Sequence, residues 1–384
     1  MKADILIKGG WVIDTAQCIN KVCDVAIMGN KILAIGENLE IDAMTKINAQ
    51  GCIVSPGIID HHLHMFADAT DAGIDPNVSL LPNGVTTAVE GGSPGAANYE
   101  LYRKVIMQPS RVRIKCYISI SSMGMITRKY PENLDPDYYE RDRMKALFQK
   151  YPDELLGLKL RLSKEFVGDM KQKPLEETIK LAEEIGCRVV VHMTNPPIDT
   201  QDIAQMLRSG DVFCHAYQGQ GNTIIGADGT VKAGIKSARE KGVIFDVCNG
   251  SSNFTLDVAK AALADNFLPD IISSDYSTMT MYKHPVISMP FIMSKYINMG
   301  MQLEDVFRAC TQKPAELIGM IDQVGTIAPN AFADVAIFKL INQETIFYDY
   351  TNDSMKGDKL LVPQMTIKDG IIMFRQVTFN SEFR

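Results

Sequence analysis

The alternation of apolar and polar positions changes twice along this 384-residue chain. Over residues 1–54, short apolar runs of the β type are separated by turn residues. The runs are 4–7, 11–13, 24–28 and 31–35, and Gly9-Gly10, Gly29-Asn30 and Gly36 punctuate them. A small antiparallel sheet without chemistry of its own is expected there. From residue 55, strand-length apolar runs alternate with amphipathic stretches, the pattern of an α/β domain with a parallel sheet. Core strands are predicted at 58–60 running into the histidines, and at 86–90, 114–121, 157–161, 188–192, 211–215, 243–247 and 271–275. Between them, Leu175, Ile179, Ala182 and Ile185 recur at helical spacing within 174–185, and Pro174 suits a first helical turn. Eight such strands over about 220 residues fit a (β/α)8 TIM barrel. A doubly wound open sheet competes with it, but no G-x-G-x-x-G follows the early strands. After residue 325 the β pattern returns at 333–338, 365–367 and 370–373. The expected division is a small β-sandwich from 1–54 and 326–384, with the barrel at 55–325.

Composition removes several function classes. The chain is 46% hydrophobic and 22% charged, an ordinary globular balance that can bury a large core. A net charge of −7 without any dense Lys/Arg run argues against a nucleic-acid partner. No apolar run approaches the ~18–20 residues of a membrane span, so no membrane partner is expected. Residues 1–10 are too short and too charged for a signal peptide. The eight cysteines show no C-x-x-C spacing, and several, such as Cys116, sit inside apolar runs. Reduced cysteines of a cytosolic core look like this, and a cytoplasmic enzyme is the expectation.

Candidate chemistry concentrates at the ends of the predicted barrel strands. Pro56-Gly57-Ile58-Ile59-Asp60-His61-His62-Leu63-His64 reads as a turn feeding an apolar strand that ends in two histidines. Strand alternation puts Asp60, His62 and His64 on one face, with His61 and Leu63 on the other. An H-x-H pair is a ready bidentate site for a divalent metal; alone, it is equally a solvated strand end. His192 closes Val189-Val190-Val191, and His215 closes Val212-Phe213-Cys214. Four of the six histidines therefore fall where a barrel gathers its active site. Asp275 closes the last strand: singly an N-cap or turn residue, in the barrel mouth a ligand and proton acceptor.

Lys159 lies mid-run between apolar neighbours in Leu156-Gly157-Leu158-Lys159-Leu160-Arg161. Desolvation favours its neutral amine, which can add carbon dioxide to give a carbamate able to bridge two cations. Snorkelling, or pairing with a carboxylate, is the alternative. Arg161 shares the face of Lys159 and is either a bidentate substrate-carboxylate site or half of a structural ion pair. The polar stretch 249–253, with Asn249 foremost, either contacts substrate or only connects. Glu90 is placed to orient a histidine, whereas Tyr217 and His284 are read as structural.

Residues 56–64 resemble the P-G-x-I-D-x-H-x-H signature of the amidohydrolase superfamily. Lys159, His192, His215 and Asp275 fall in that family's order, after strands 4, 5, 6 and 8. Gly325-Thr326-Ile327-Ala328-Pro329-Asn330-Ala331-Phe332-Ala333-Asp334 resembles the family's G-x-I-x-x-G-x-x-A-D return to the sandwich. Asn330 departs from it mildly, since asparagine tolerates a left-handed backbone. Within the superfamily the chain is similar to dihydroorotase-like enzymes with a carboxylated lysine. Residues 157–161, 211–215, 242–247 and 267–275 look like the branch of small deacetylases acting on N-acetyl-D-amino acids and acetyl esters.

The resemblance implies two divalent metal ions, with zinc expected and manganese, iron and nickel chemically compatible. His62, His64 and Asp275 would hold one, His192 and His215 the other, and the carbamate of Lys159 would bridge them. A metal-bridging hydroxide would attack the substrate carbonyl, with Asp275 as base and then acid. The implied activity is hydrolysis of an amide or ester bond of a small molecule, most concretely deacetylation of an N-acetyl amino acid-like carboxylate. Ring opening of a cyclic amide and adenine-type deamination on the same binuclear site are the alternatives. The complete ligand set argues against a non-enzymatic scaffold. A homo-oligomer is compatible with the resemblance, which fixes no subunit number.

Overall fold

The computed structural model describes residues 2–127 and 129–379. The N-terminal part forms strands β1 (Lys2–Asp14), β2 (Ile19–Met28), β3 (Lys31–Gly36), β4 (Asp42–Asn48) and β5 (Ile53–Pro56). The central part contributes β6 (Ile58–Leu63), β7 (Val85–Gly95), β8 (Arg113–Ser119), β9 (Leu155–Arg161), β10 (Arg188–His192), β11 (Val212–Cys214) and β12 (Ile244–Asp246). The C-terminal part adds β13 (Val335–Tyr348), β14 (Ser354–Lys368) and β15 (Ile371–Arg375).

Both ends of the chain share one eight-stranded sheet, ordered β15-β14-β13-β5-β1-β2-β3 with β4 beside β1. Its first strand joins the 4–7 and 11–13 runs through an irregularity between Ile7 and Gly10. The sheet is mixed rather than antiparallel, because β4 and β5 run parallel to β1. No sequence pattern marked β4: only Ala43 and Ile47 of its seven residues are buried. The buried carboxylate of Asp14 ties the two ends together, accepting from Thr326 Oγ1 at 3.0 Å and Ile327 N at 2.6 Å. Asn330 takes the left-handed backbone expected of it, with φ of 71°.

The second sheet is parallel throughout and runs in sequence order from β6 to β12. Gly57 allows β6 to start against β7, where a Cβ would sit 2.1 Å from Thr86 Oγ1. Ile59, Val89, Tyr117, Val190 and Val212 pack in one cluster drawn from five different strands. Helix Lys173–Ile185 buries Leu175, Thr178, Leu181 and Ala182, and ends at Gly186 in a left-handed cap.

The 271–275 run forms no regular strand, yet it lies between β12 and β6. Val247 N donates to Ile271 O (3.1 Å) and Asn249 N to Ser273 O (3.1 Å) on one side. On the other, Asp275 N donates to His62 O (2.7 Å) and His64 N to Tyr276 O (3.0 Å). Asp275 has φ of 52°, which breaks the extended run at that residue. Among the described residues no helix is long and apolar enough to cross a membrane. All eight cysteines are free thiols.

Candidate active site

The strand carrying the first two histidines is irregular, and this changes which side chains share a wall. Pairing of β6 with β7 shifts register between Asp60 and Leu63, so simple alternation does not hold. Asp60 turns to the 271–275 segment, accepting from Ser274 N at 3.0 Å and from the Ser274 hydroxyl. Burial pushes its carboxyl up to about 7, against those hydrogen bonds. His61 reaches inward across the sheet, 3.1 Å from Asp246 on β12 and 2.9 Å from the Tyr117 hydroxyl on β8. Asp60 therefore does not share a wall with His62 and His64, contrary to the alternation expected from the sequence. It and His61 form a buried polar layer.

Above that layer is a cavity of about 420 Å³. His62, His64, Lys159, His192, His215 and Asp275 all line it, as does Arg161. Lys159 Nζ stands 3.1 Å from His62 Nε2, and His64 Nε2 stands 3.1 Å from Asp275 Oδ1. The His192 and His215 rings meet edge to face with centroids 4.3 Å apart. Backbone conformation helps to aim these groups. His215, Cys248 and Asp275 all have positive φ (67°, 34° and 52°) at the ends of three neighbouring segments. Non-glycine residues held there cost about 1–3 kcal/mol each, and such strain gathers at functional sites.

Three histidines have Nδ1 engaged behind them. His64 Nδ1 lies 2.9 Å from Ser93 Oγ and 3.5 Å from Glu90 Oε1. His215 Nδ1 donates to Cys248 O at 2.7 Å, and His62 Nδ1 lies 3.3 Å from Cys214 Sγ. Glu90 is itself fixed by Met65 N (2.7 Å) and Ser93 N (2.8 Å), which suits the orienting part expected of it. Rings anchored at Nδ1 present Nε2 as a ligand, and second partners of this kind are what metal-binding histidines need. Nε2 donors, a carboxylate and a buried amine thus fit a divalent metal centre.

The charges agree with such a centre. Burial drives His192 well below the ordinary imidazole range, helped by His215, Arg161 and Lys159, so it stands neutral and ready to coordinate. His64 is also opposed by burial, but Asp275 and Glu90 outweigh it and raise His64 to about 9. A cation at His64 must displace that proton, so its binding weakens as pH falls. Burial likewise pushes Asp275 up, yet the hydrogen bond and charge of His64, with His215 and His62, hold it below the usual carboxylate range.

Arg161 sits on the wall beside Glu132, with Nε 3.2 Å from its carboxylate and its guanidinium 4.7 Å from the Phe166 ring centre. Sequence gave no sign of Glu132, which lies 29 residues away on a separate loop. Asn249 is not brought to the cavity. Its Oδ1 accepts from Lys295 Nζ at 3.3 Å, its Nδ2 donates to Ser273 O at 3.3 Å, and it is fully buried. Ser251, Ser252 and Asn253 are the members of that stretch that line the cavity, and Asn253 touches the candidate ligands: its Nδ2 donates to Asp275 Oδ2 at 2.9 Å, and its Oδ1 accepts from Thr194 at 2.8 Å. Tyr217 is buried with its hydroxyl on Phe267 O, and His284 packs between Phe291 and Tyr348. Both are structural, as expected.

Lys295, fully buried behind Asn249, yields a test of this packing. Burial depresses its ammonium to about 7, whereas the unfolded chain titrates near ~10.4. The unfolded state thus holds more protons between these values, so stability rises with pH there, by at most ~1.4 kcal/mol per pH unit. Lys295→Met should flatten this slope in urea melts at pH 7.5 to 9.5. An unchanged slope contradicts the assignment.

Residues 53–373 match the model of the amidohydrolase family. The chain is 30% identical over 347 residues to a deacetylase of Agrobacterium fabrum, covering 90% of this chain and 85% of that protein. The crystal structure of an adenine deaminase superposes with a TM-score of 0.90 at 27% identity, covering 97% of this chain and 100% of the other. That of a dihydroorotase gives 0.88 at 28%, covering 100% and 99%. With the family match spanning most of its length and hydrolase relatives over nearly all of it, the chain belongs to the amidohydrolase family and is a hydrolase acting on carbon–nitrogen bonds.

Proposed function

We propose that this enzyme deacetylates a small N-acetylated carboxylate, an N-acetyl amino acid or a close analogue, at a binuclear centre. The carrying observation is the convergence of His62, His64, Lys159, His192, His215 and Asp275 on one cavity. We read the parallel sheet as a (β/α)8 barrel completed by 271–275, spanning 55–325, with 1–54 and 326–384 as the sandwich. His62, His64 and Asp275 would hold one divalent ion, His192 and His215 the second, and Lys159, carboxylated by carbon dioxide, would reach both. Zinc is our choice of metal. Bound there, such ions polarise a carbonyl and activate water near neutral pH.

The protein's own groups supply the rest. Asp275 takes a proton at the carboxylate oxygen facing the cavity and returns it to the departing amine nitrogen. Asn253 holds the other oxygen of Asp275, so the acceptor lobe stays aimed. Arg161 binds the substrate carboxylate, which competes with Glu132 for the guanidinium. The deacetylase relative supports acetyl transfer to water over ring opening or deamination.

The carboxylate part of this reading has its own test. Arg161→Met should raise KM about 10- to 100-fold for an N-acetyl amino acid, the loss expected for a charge-assisted hydrogen bond of 1.5–3 kcal/mol. The corresponding amide, which lacks the carboxylate, should be almost unaffected. Equal losses on both substrates would return Arg161 to a structural ion pair.

A further inference from the structure

Of the groups that stand behind the three anchored histidines, one is a buried thiol. Cys214 ends β11, is fully buried, and places Sγ 3.3 Å from His62 Nδ1 and 3.9 Å from Lys159 Nζ. His62, Cys214, His215 and Cys248 offer ligand-type atoms all within 4.8 Å of one another, so sulfur could coordinate directly or act through a histidine. The two edges of the His62 ring decide between these. Nε2 is the edge toward Lys159, at 3.1 Å. It is also the edge against Gly91, where any Cβ would come 2.5 Å from it. The sulfur is on the other edge.

The neighbouring histidines set the pattern. His64 has Ser93 and Glu90 at Nδ1, and His215 has Cys248 O. We propose that Cys214 is the positioning residue of His62, its sulfur accepting a hydrogen bond from Nδ1–H and thereby leaving Nε2 unprotonated toward the cavity. A backbone strand end fixes this sulfur: Cys214 pairs with His192 on one side and Asp246 on the other. Where the other two histidines lean on oxygen, His62 leans on a weaker, larger acceptor. The inference rests on the metal-centre reading of the site.

Cobalt(II) substitution of the full-length protein tests it. The wild-type protein should bind cobalt with ligand-field bands but without the near-ultraviolet charge-transfer band of a cobalt–sulfur bond. Cys214→Ala should weaken cobalt binding about 10- to 100-fold in competition with a chelator, the usual cost of losing a partner behind a ligating histidine. Cys214→Ser keeps an acceptor and should bind within about tenfold of wild type. Far-ultraviolet circular dichroism checks that each variant is folded, and the wild-type spectrum needs no variant. A sulfur–cobalt band in the wild type overturns the proposal in favour of direct ligation. Unchanged affinity in a folded Cys214→Ala protein overturns it too. If the wild type binds no cobalt at all, the metal-centre reading itself fails and this inference falls with it.

Discussion

Lys159→Ala is expected to lower kcat/KM by at least about 10³-fold, because cations at the reacting carbonyl are worth several kcal/mol. Metal content should fall in the same protein. Lys159 is buried, and its amine points at His62 Nε2 rather than at a carboxylate. Its described partners are His62 Nε2 and Cys214 Sγ, with no carboxylate among them. A bare ammonium beside histidine donors repels cations, whereas its carbamate attracts them. Two observations follow: bicarbonate should raise metal uptake by the wild type, and short carboxylic acids should restore part of the activity of Lys159→Ala. Wild-type turnover and metal content in this variant would show that the lysine only fills space.

The second large effect concerns Asp275. Asp275→Asn should retain bound metal and lose about 10²- to 10⁴-fold in kcat, the span that general acid–base groups supply. The amide still fits between His64 Nε2 and Asn253 Nδ2, whose distances to the native carboxylate are 3.1 and 2.9 Å. It cannot accept the proton. The neighbouring histidines keep this carboxyl ionised well into acid, so loss of activity at low pH should track protonation of the histidines rather than of Asp275. Metal analysis alongside kinetics separates the roles, and full activity in a metal-replete Asp275→Asn enzyme contradicts the assignment.

The strand runs at 58–60, 157–161 and 188–192 were legible because long apolar stretches carry few competing readings. The place of His192 at a strand end and of Lys159 within a strand follows from them, and that of His215 from the run at 211–215 that it closes. Failures came where geometry departs from a regular period. One register shift in β6 was enough to separate Asp60 from His62 and send His61 into the interior. The left-handed backbone at Asp275 ended the eighth run as a regular strand while keeping its carboxylate in the mouth. In the 249–253 stretch the residue type was legible but the choice of asparagine was not: a loop has no period, and Asn249 and Asn253 differ only in where the turn aims them. Glu132 and Ser93 were silent for a related reason. Their partners are distant in sequence, and a lone Glu or Ser in a loop carries no signal of contact.

Product analysis decides whether an acetyl amide is hydrolysed at the metal centre. The zinc-loaded enzyme, prepared with bicarbonate, would be incubated with N-acetyl-D- and L-amino acids, acetylated hydroxy acids, dihydroorotate, hydantoins and adenine. Acetate is the expected product, released from one enantiomeric series in preference to the other, with its release abolished by a chelator. Ammonia from adenine, or ring opening without acetate, would contradict deacetylation while leaving the ligand set in place.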